Sequence, residues 1–191
     1  MRLIAITGSI GCGKSTLADL LKQLGYLVYN VDGWTRNLYK SESFCKLILN
    51  KFPEVDENGK VNKKALRKIV FSDIEKLRKL EKIVHPLLKQ KLRKVIYKNS
   101  RYDELIFIDA ALVYELGWDK YCDLVIVADV DYDVQKQRVM NRDGISAEDF
   151  EKIVALQMSN SDKVYRGDVV INTGKNLKQL KVDLFKMFKD L

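Results

Sequence analysis

Gly8-Ser9-Ile10-Gly11-Cys12-Gly13-Lys14-Ser15 decides how this chain is read. The stretch matches the pattern GxxxxGK[ST], and its flanks suit that pattern. Arg2–Thr7 before it is an apolar run of strand length. After it, Leu17, Leu20, Leu21 and Leu24 follow the i, i+3, i+4, i+7 spacing of an amphipathic helix, and Gly25 supplies a stop. In a strand–loop–helix of this kind, glycines let the backbone wrap closely around an anion and aim successive N–H groups at phosphate oxygens. The helix N-terminus adds about half a positive charge. Lys14 is placed to reach the β- and γ-phosphates of a nucleoside triphosphate, and the Ser15 hydroxyl to ligate Mg²⁺.

Four further apolar runs read as strands: Leu27–Val31, Leu105–Asp109, Leu124–Ala128 and Val169–Asn172. Runs that are apolar at consecutive positions suit a parallel sheet covered on both faces. Helical patterns lie between them, which predicts an α/β fold with five parallel strands flanked by helices and right-handed crossovers. The run Leu27–Val31 is expected to lie beside the loop strand. Ser72-x-x-Glu75 reads as a capping box opening a helix, and Pro86 as the first turn of the next one. Ser146 is expected to cap a helix through about Met158, and Leu177 to Phe188 reads as a terminal helix. The spacing is uneven. A mostly helical insertion of about residues 33–100 and a second of about 131–164 interrupt a core of 1–32, 101–130 and 165–191. Ligands of open α/β sheets bind beyond the carboxyl ends of the strands, so both insertions are expected to wall or cover the site.

The chain has 191 residues, enough for one sizeable core and short for two independent domains. Charges interrupt every apolar run, so no membrane span is expected. Nor is a secretory leader, because Met1-Arg2-Leu3-Ile4 has no long apolar region behind it. Cys12, Cys45 and Cys122 are odd in number and far apart, which argues against a disulfide framework or zinc site and fits a reducing, cytoplasmic setting. Cys12 reads as a small loop residue in preference to a reactive thiol. The net charge of +8 favours anionic partners but is spread along the chain, as a solvated lysine-rich surface would be.

Three features point from nucleotide binding to phosphoryl transfer. Asp32 follows the second strand run, where a carboxylate can orient or deprotonate an acceptor hydroxyl; the competing reading is a helix cap. Gln135-x-x-Arg138-x-x-x-Arg142 puts two arginines at i and i+4, able to clamp phosphates, or else to form a solvated face. Asp109 ends an apolar strand, where it can hold a water on Mg²⁺ or serve as a turn acid. No Asn/Thr-Lys-x-Asp guanine motif is present, which separates the chain from GTPases.

At six ordered blocks the sequence resembles the dephospho-coenzyme A kinase family along nearly its whole length. The blocks are Ile6 to Thr16 with Val31-Asp32, Asn58-Gly59-Lys60-Val61-Asn62 through Val70-Phe71, and Leu80 to Pro86. They continue with Leu112-Val113-Tyr114-Glu115, Gln135 to Gly144, and Asp168-Val169-Val170-Ile171-Asn172. The family's Asp-Ala-Asp after the second strand is Asn30-Val31-Asp32 here, and its Pro-Leu-Leu is Ala111-Leu112-Val113. The resemblance implies a P-loop NTPase fold with a helical substrate insertion and a helical lid. The activity it implies is phosphorylation of the ribose 3′-hydroxyl of dephospho-coenzyme A by ATP with Mg²⁺. It assigns ATP to Gly11, Cys12, Gly13, Lys14, Ser15 and Thr16, with Asn172 near the adenine. It makes Asp32 face the acceptor hydroxyl and puts Arg138 and Arg142 in the lid. His85, Leu112 and Glu115 become acceptor contacts. His85, the sole histidine, is read as structural or acceptor-contacting and not as an acid–base group.

Two alternatives remain at this level. One is another small-molecule kinase, of nucleoside, nucleotide or shikimate type, separable by an acceptor panel. The other is a non-catalytic ATP-binding protein of nucleic acids, disfavoured by the lack of an RNP motif or zinc-finger spacing. The expected partner is therefore a small molecule, with no nucleic acid and no membrane, and the chain is expected to act as a monomer or a weak self-associator.

Overall fold

The computed structural model describes residues 1–101 and 104–189. The chain divides into two compact units, Met1–Asn30 with Lys98–Leu191, and Val31–Tyr97.

In the first unit, β1 (Arg2–Thr7) runs through the glycine loop into α1 (Lys14–Gln23), and β2 (Leu27–Asn30) follows. The unit resumes with the strands β5 (Leu105–Asp109), β6 (Leu124–Asp129) and β7 (Val169–Asn172). Between the last two lie α6 (Tyr132–Asp143), α7 (Ala147–Ala155) and α8 (Asn160–Arg166), and α9 (Leu177–Phe188) comes last. All five strands are parallel, in the order β2-β5-β1-β6-β7. The five expected runs are thus strands to within a residue.

Their order differs from expectation at one place: β5 lies between β2 and the loop strand. The side-chain pattern explains why. Ile106, Phe107 and Ile108 of β5 are fully buried, as a strand needs when it has neighbours on both sides. Leu27-Val28-Tyr29-Asn30 is half-buried or exposed throughout, which suits an edge. Asp109 is consequently the carboxylate paired in register with Ile6 of the loop strand.

The core under the sheet joins Ile4, Ile6, Phe107 and Ile126 to Leu17 and Leu21 of α1 and to Leu180, Leu184 and Phe188 of α9. Tyr26, Phe107 and Phe188 meet edge to face, with centroids 5.1 to 5.9 Å apart. The stop at Gly25 and the terminal helix stand as read from the sequence. Ser146 caps α7 by accepting from Asp149 N–H, but that helix ends at Ala155, and Ser159 caps α8 separately.

The second unit holds α2 (Val31–Leu38), α3 (Glu42–Lys51), the hairpin β3 (Asp56–Glu57) and β4 (Lys60–Val61), α4 (Lys63–Ser72) and most of α5 (Ile74–Asn99). Two sequence expectations fail here. The cap of α5 is the Asp73 carboxylate, which accepts from Glu75 and Lys76 N–H, while Ser72 closes α4 and donates to the Ile69 carbonyl. Pro86 opens no new helix; it lies inside α5, which continues for 26 residues. An interior proline costs roughly 3 kcal/mol. The unbroken buried stripe Val84, Leu88, Leu92 and Val95 offsets it, at roughly 1.5–3 kcal/mol for each side chain fully buried. No helix among the described residues is long and apolar enough to cross a membrane.

Candidate active site at the phosphate loop

Between β1 and α1 the chain turns on glycines that nothing larger can replace. Gly13, at φ 83°, precedes α1, and a Cβ there would lie 2.7 Å from Thr173 Oγ1. Gly11, at φ 80°, passes so close to α6 that a Cβ would lie 2.5 Å from Val139 Cγ2 and 2.9 Å from the Gln135 carbonyl. Because Gly13 has no side chain, nothing caps the first turn of α1 from within the helix. The amides of that turn, with the positive end of the helix dipole behind them, suit an anion. Ser15 is exposed on this turn and Thr16 is half-buried. Lys14 folds across the loop, its Nζ donating to the carbonyls of Gly8 (2.7 Å) and Ser9 (3.0 Å).

Cys12 is buried, and burial pushes its thiol up, against the opposing pull of the Lys14 ammonium. A thiol so placed stays protonated, and the small-loop-residue reading holds. The Cys12 carbonyl accepts from Thr173 Oγ1 at 2.9 Å. Thr173 in turn fixes Arg138, whose guanidinium donates to Thr173 Oγ1 (3.2 Å) and to the Thr173 carbonyl (3.1 Å). Arg142 diverges despite its i+4 spacing and makes a two-point pair with the Asp143 carboxylate, both contacts 2.8 Å. Asn172, at the end of β7, is exposed and accepts from Gly174 N–H at 2.8 Å.

Asp109 is buried and accepts from Asn30 Nδ2 at 3.0 Å. Past it, Leu112 is half-buried in the turn after β5. Glu115 from the same turn pairs with Lys163 Nζ at 3.0 Å and accepts from Met158 N–H at 3.0 Å. In the other unit, Asp32 occupies the first turn of α2, two residues past the end of β2. His85 sits half-buried in α5 beside Pro86, and burial holds its imidazole below the usual range, with Glu81 pulling the other way.

Several engaged residues carry no mark in the sequence. Thr173 follows a quoted block by one position, and Gln135 stood in a quoted motif without a role. Gln157, Asn160 and Lys163 look like surface polar residues in a lysine-rich chain, yet Lys163 is wholly buried.

A parallel sheet whose central strand runs into a glycine nest, a lysine drawn over that nest and an arginine tethered beside it define a P-loop nucleotide-dependent phosphotransferase. The dephospho-CoA kinase family model matches residues 2–179. The chain belongs to that family. It is 41% identical to the dephospho-CoA kinase of Bartonella henselae over 100% of this chain and 98% of the relative. It is similar to a solved Thermus thermophilus structure, with a TM-score of 0.84, 31% identity and coverage of 100% and 97%. The fold is shared with the Campylobacter jejuni dephospho-CoA kinase at a TM-score of 0.70 and 21% identity, covering 100% of this chain and 98% of the other.

Proposed function

We propose that this chain transfers the γ-phosphoryl group of ATP to the ribose 3′-hydroxyl of dephospho-CoA, releasing CoA and ADP in the last step of CoA synthesis. The observation that carries the reading is a complete phosphate loop in a chain that matches the dephospho-CoA kinase family from residue 2 to residue 179.

Phosphoryl transfer needs positioning and charge neutralisation more than covalent chemistry. The amides from Gly11 to Thr16 grip the β- and γ-phosphates, and the Lys14 ammonium balances their charge. Arg138, oriented by its fork on Thr173, meets charge developing on the transferred group. Arg142, paired with the Asp143 carboxylate in this structure, stands on the same helix of a lid formed by about residues 131–164. Asp32 orients the acceptor hydroxyl and takes its proton. Its support is its place just past a strand of the parallel sheet, at whose carboxyl edge ligands bind. Asn172 borders the adenine, while Leu112, Glu115 and, from the helical insertion, His85 contact the acceptor.

Mg²⁺ suits the oxygens available. Among the described residues no group of three His, Cys, Asp or Glu is arranged to hold a metal, so a caged ion does not fit, whereas an ion carried on phosphates needs few protein ligands. The exposed Ser15 hydroxyl would be the direct ligand, and Asp109 would hold a bound water. When bound, the ion neutralises the β- and γ-oxygens. ATP dependence and free cysteines suit the cytoplasm, and the partner is a small molecule, not a nucleic acid, with the chain a monomer or a weak self-associator.

The deciding experiment is to isolate the product from ATP and dephospho-CoA and locate the new phosphate. Phosphate on the ribose 3′ position is expected. Turnover of a nucleoside monophosphate or shikimate, with none on dephospho-CoA, would overturn the acceptor assignment.

A further inference from the structure

The GxxxxGK[ST] pattern leaves Ser9 and Ile10 unspecified, yet this half of the loop is the more heavily tied. Ser9 N–H donates to Asn160 Oδ1 at 2.9 Å, and Ile10 N–H donates to Gln157 Oε1 at 3.2 Å. The Ile10 carbonyl accepts from Gln135 Nε2 at 2.7 Å, and Ser9 Oγ donates to the Met158 carbonyl at 3.4 Å. Both amides of the pair therefore end on neutral side-chain carbonyls, from the turn after α7 and from the first residue of α8.

That turn is itself fixed from below. Asn160 Nδ2 donates to Asp129 Oδ1 at 2.6 Å, at the carboxyl end of β6. Lys163 Nζ, with its side chain wholly buried, donates to the Ala111 carbonyl at 2.6 Å. It also pairs with Glu115, whose carboxylate accepts from Met158 N–H. Taking an ammonium out of water is strongly unfavourable unless its bonds are completed. Here the turn after β5 supplies a carbonyl and a carboxylate to it, so the segment carrying Gln157 and Asn160 is pinned to a second strand end.

We propose that Gln157 and Asn160 are positioning residues for phosphoryl transfer. By occupying the amides of Ser9 and Ile10 they hold the first half of the phosphate loop in one geometry, and Lys163 anchors the turn that presents them. The proposal deepens the kinase reading above and rests on it. Untied, these amides would offer the triphosphate competing donors and let the γ-phosphate settle in more than one register. A misplacement of about 1 Å in such a reaction costs on the order of 100-fold in rate. The acceptors are also amides and not carboxylates, which avoids negative charge against the triphosphate.

The test is steady-state kinetics on Gln157→Leu, Gln157→Glu and Asn160→Leu, with melting temperature and amide hydrogen exchange at Ser9 and Ile10 measured on the same proteins. Gln157→Leu and Asn160→Leu are expected to lower kcat roughly 10- to 100-fold, KM for ATP moving less than about threefold. Exchange at Ser9 and Ile10 should quicken while the melting temperature holds. Gln157→Glu keeps an acceptor for Ile10 N–H, so kcat should largely recover, with KM for ATP raised about tenfold by charge repulsion. Unchanged kcat in both leucine variants, or a kcat loss that only tracks a loss of melting temperature, overturns the proposal. So does exchange at Ser9 and Ile10 that matches the wild type. A wild-type protein inactive on dephospho-CoA would instead defeat the acceptor assignment, and the exchange measurement still decides whether the two amides are held.

Discussion

The Thr173 hydroxyl donates to the Cys12 carbonyl at 2.9 Å and so joins the exit of β7 to the middle of the phosphate loop. The same oxygen accepts from Arg138, so the guanidinium, the threonine and the loop form one chain of bonds. A chain of this kind restricts the arginine to one orientation, and a preoriented charge is what electrostatic stabilisation of a transferring phosphoryl group requires.

Arg138→Ala should therefore lower kcat by roughly 100- to 1000-fold with a smaller change in KM for ATP. Arg138→Lys should not restore it, because an ammonium cannot span the hydroxyl and the carbonyl of Thr173 as a planar fork does. Thr173→Val, nearly the same shape, removes the relay and should cost about 1 kcal/mol of stability along with part of kcat. Steady-state kinetics and thermal melts check all three. Wild-type kinetics for Arg138→Ala would return that residue to the solvated face.

Lys14 and Asp32 should separate binding from chemistry. Lys14→Ala removes the ammonium lying over the loop and should abolish turnover while weakening ATP binding. Asp32→Asn should bind ATP as the wild type does and lose about 100- to 10,000-fold in kcat. Calorimetric ATP titration beside initial rates distinguishes them, and near-normal turnover by Asp32→Asn would end its assignment to the acceptor hydroxyl.

The strands and the loop were legible in the sequence because each depends on local pattern. Phe107 and Ile108 announce a strand buried on both faces, and Gly11, Gly13 and Lys14 announce an anion site. What failed was set by distant partners. The order of strands depends on the long-range pairing of Val28 with Phe107 and Tyr29 with Ile108, which shows only once β5 is seen to be the more deeply buried of the two. Pro86 reads as a helix start until Val84, Leu88 and Leu92 are seen to share one buried stripe across it. Nor does spacing show that Arg138 turns to the distant Thr173 while Arg142, on the same helix, pairs with the adjacent Asp143. Lys163 gave no signal, since a buried lysine and a surface lysine are written with the same letter.

His85 should make stability depend on pH below neutrality. Burial depresses its folded-state value, so the imidazole remains neutral in the fold when the unfolded chain, with an ordinary value of about 6.5, begins to take up a proton. The unfolded state then binds more protons, and stability falls as pH drops through about 6.5 toward the folded value, below which this contribution is fully lost and stops changing. The effect is modest because the ring is half exposed. Melting temperature followed from about pH 7 to 5 should decline less steeply in His85→Gln than in the wild type. Parallel curves would show that the acid sensitivity resides elsewhere.

Tyr114 offers a gain in stability. Its side chain is buried in the turn after β5, and its hydroxyl has no hydrogen-bond partner among the described residues. Burial pushes the phenol up to about 12, with Arg166, 4.3 Å above the ring, drawing it the other way. The group thus stays a neutral, desolvated hydroxyl at every physiological pH. A buried polar atom left unpaired carries a desolvation penalty of roughly 1–3 kcal/mol, and replacing it by an apolar group of the same shape removes that penalty. Tyr114→Phe keeps the ring and its contact with Arg166, so it should leave stability unchanged or raise it by up to about 1 kcal/mol, roughly 2–4 °C in Tm for a chain of this size. Turnover should be unaffected, since the hydroxyl has no part in the phosphate chemistry. A loss of more than about 1 kcal/mol would mean that the hydroxyl holds a bond in solution, and the turn after β5 would then owe part of its shape to it.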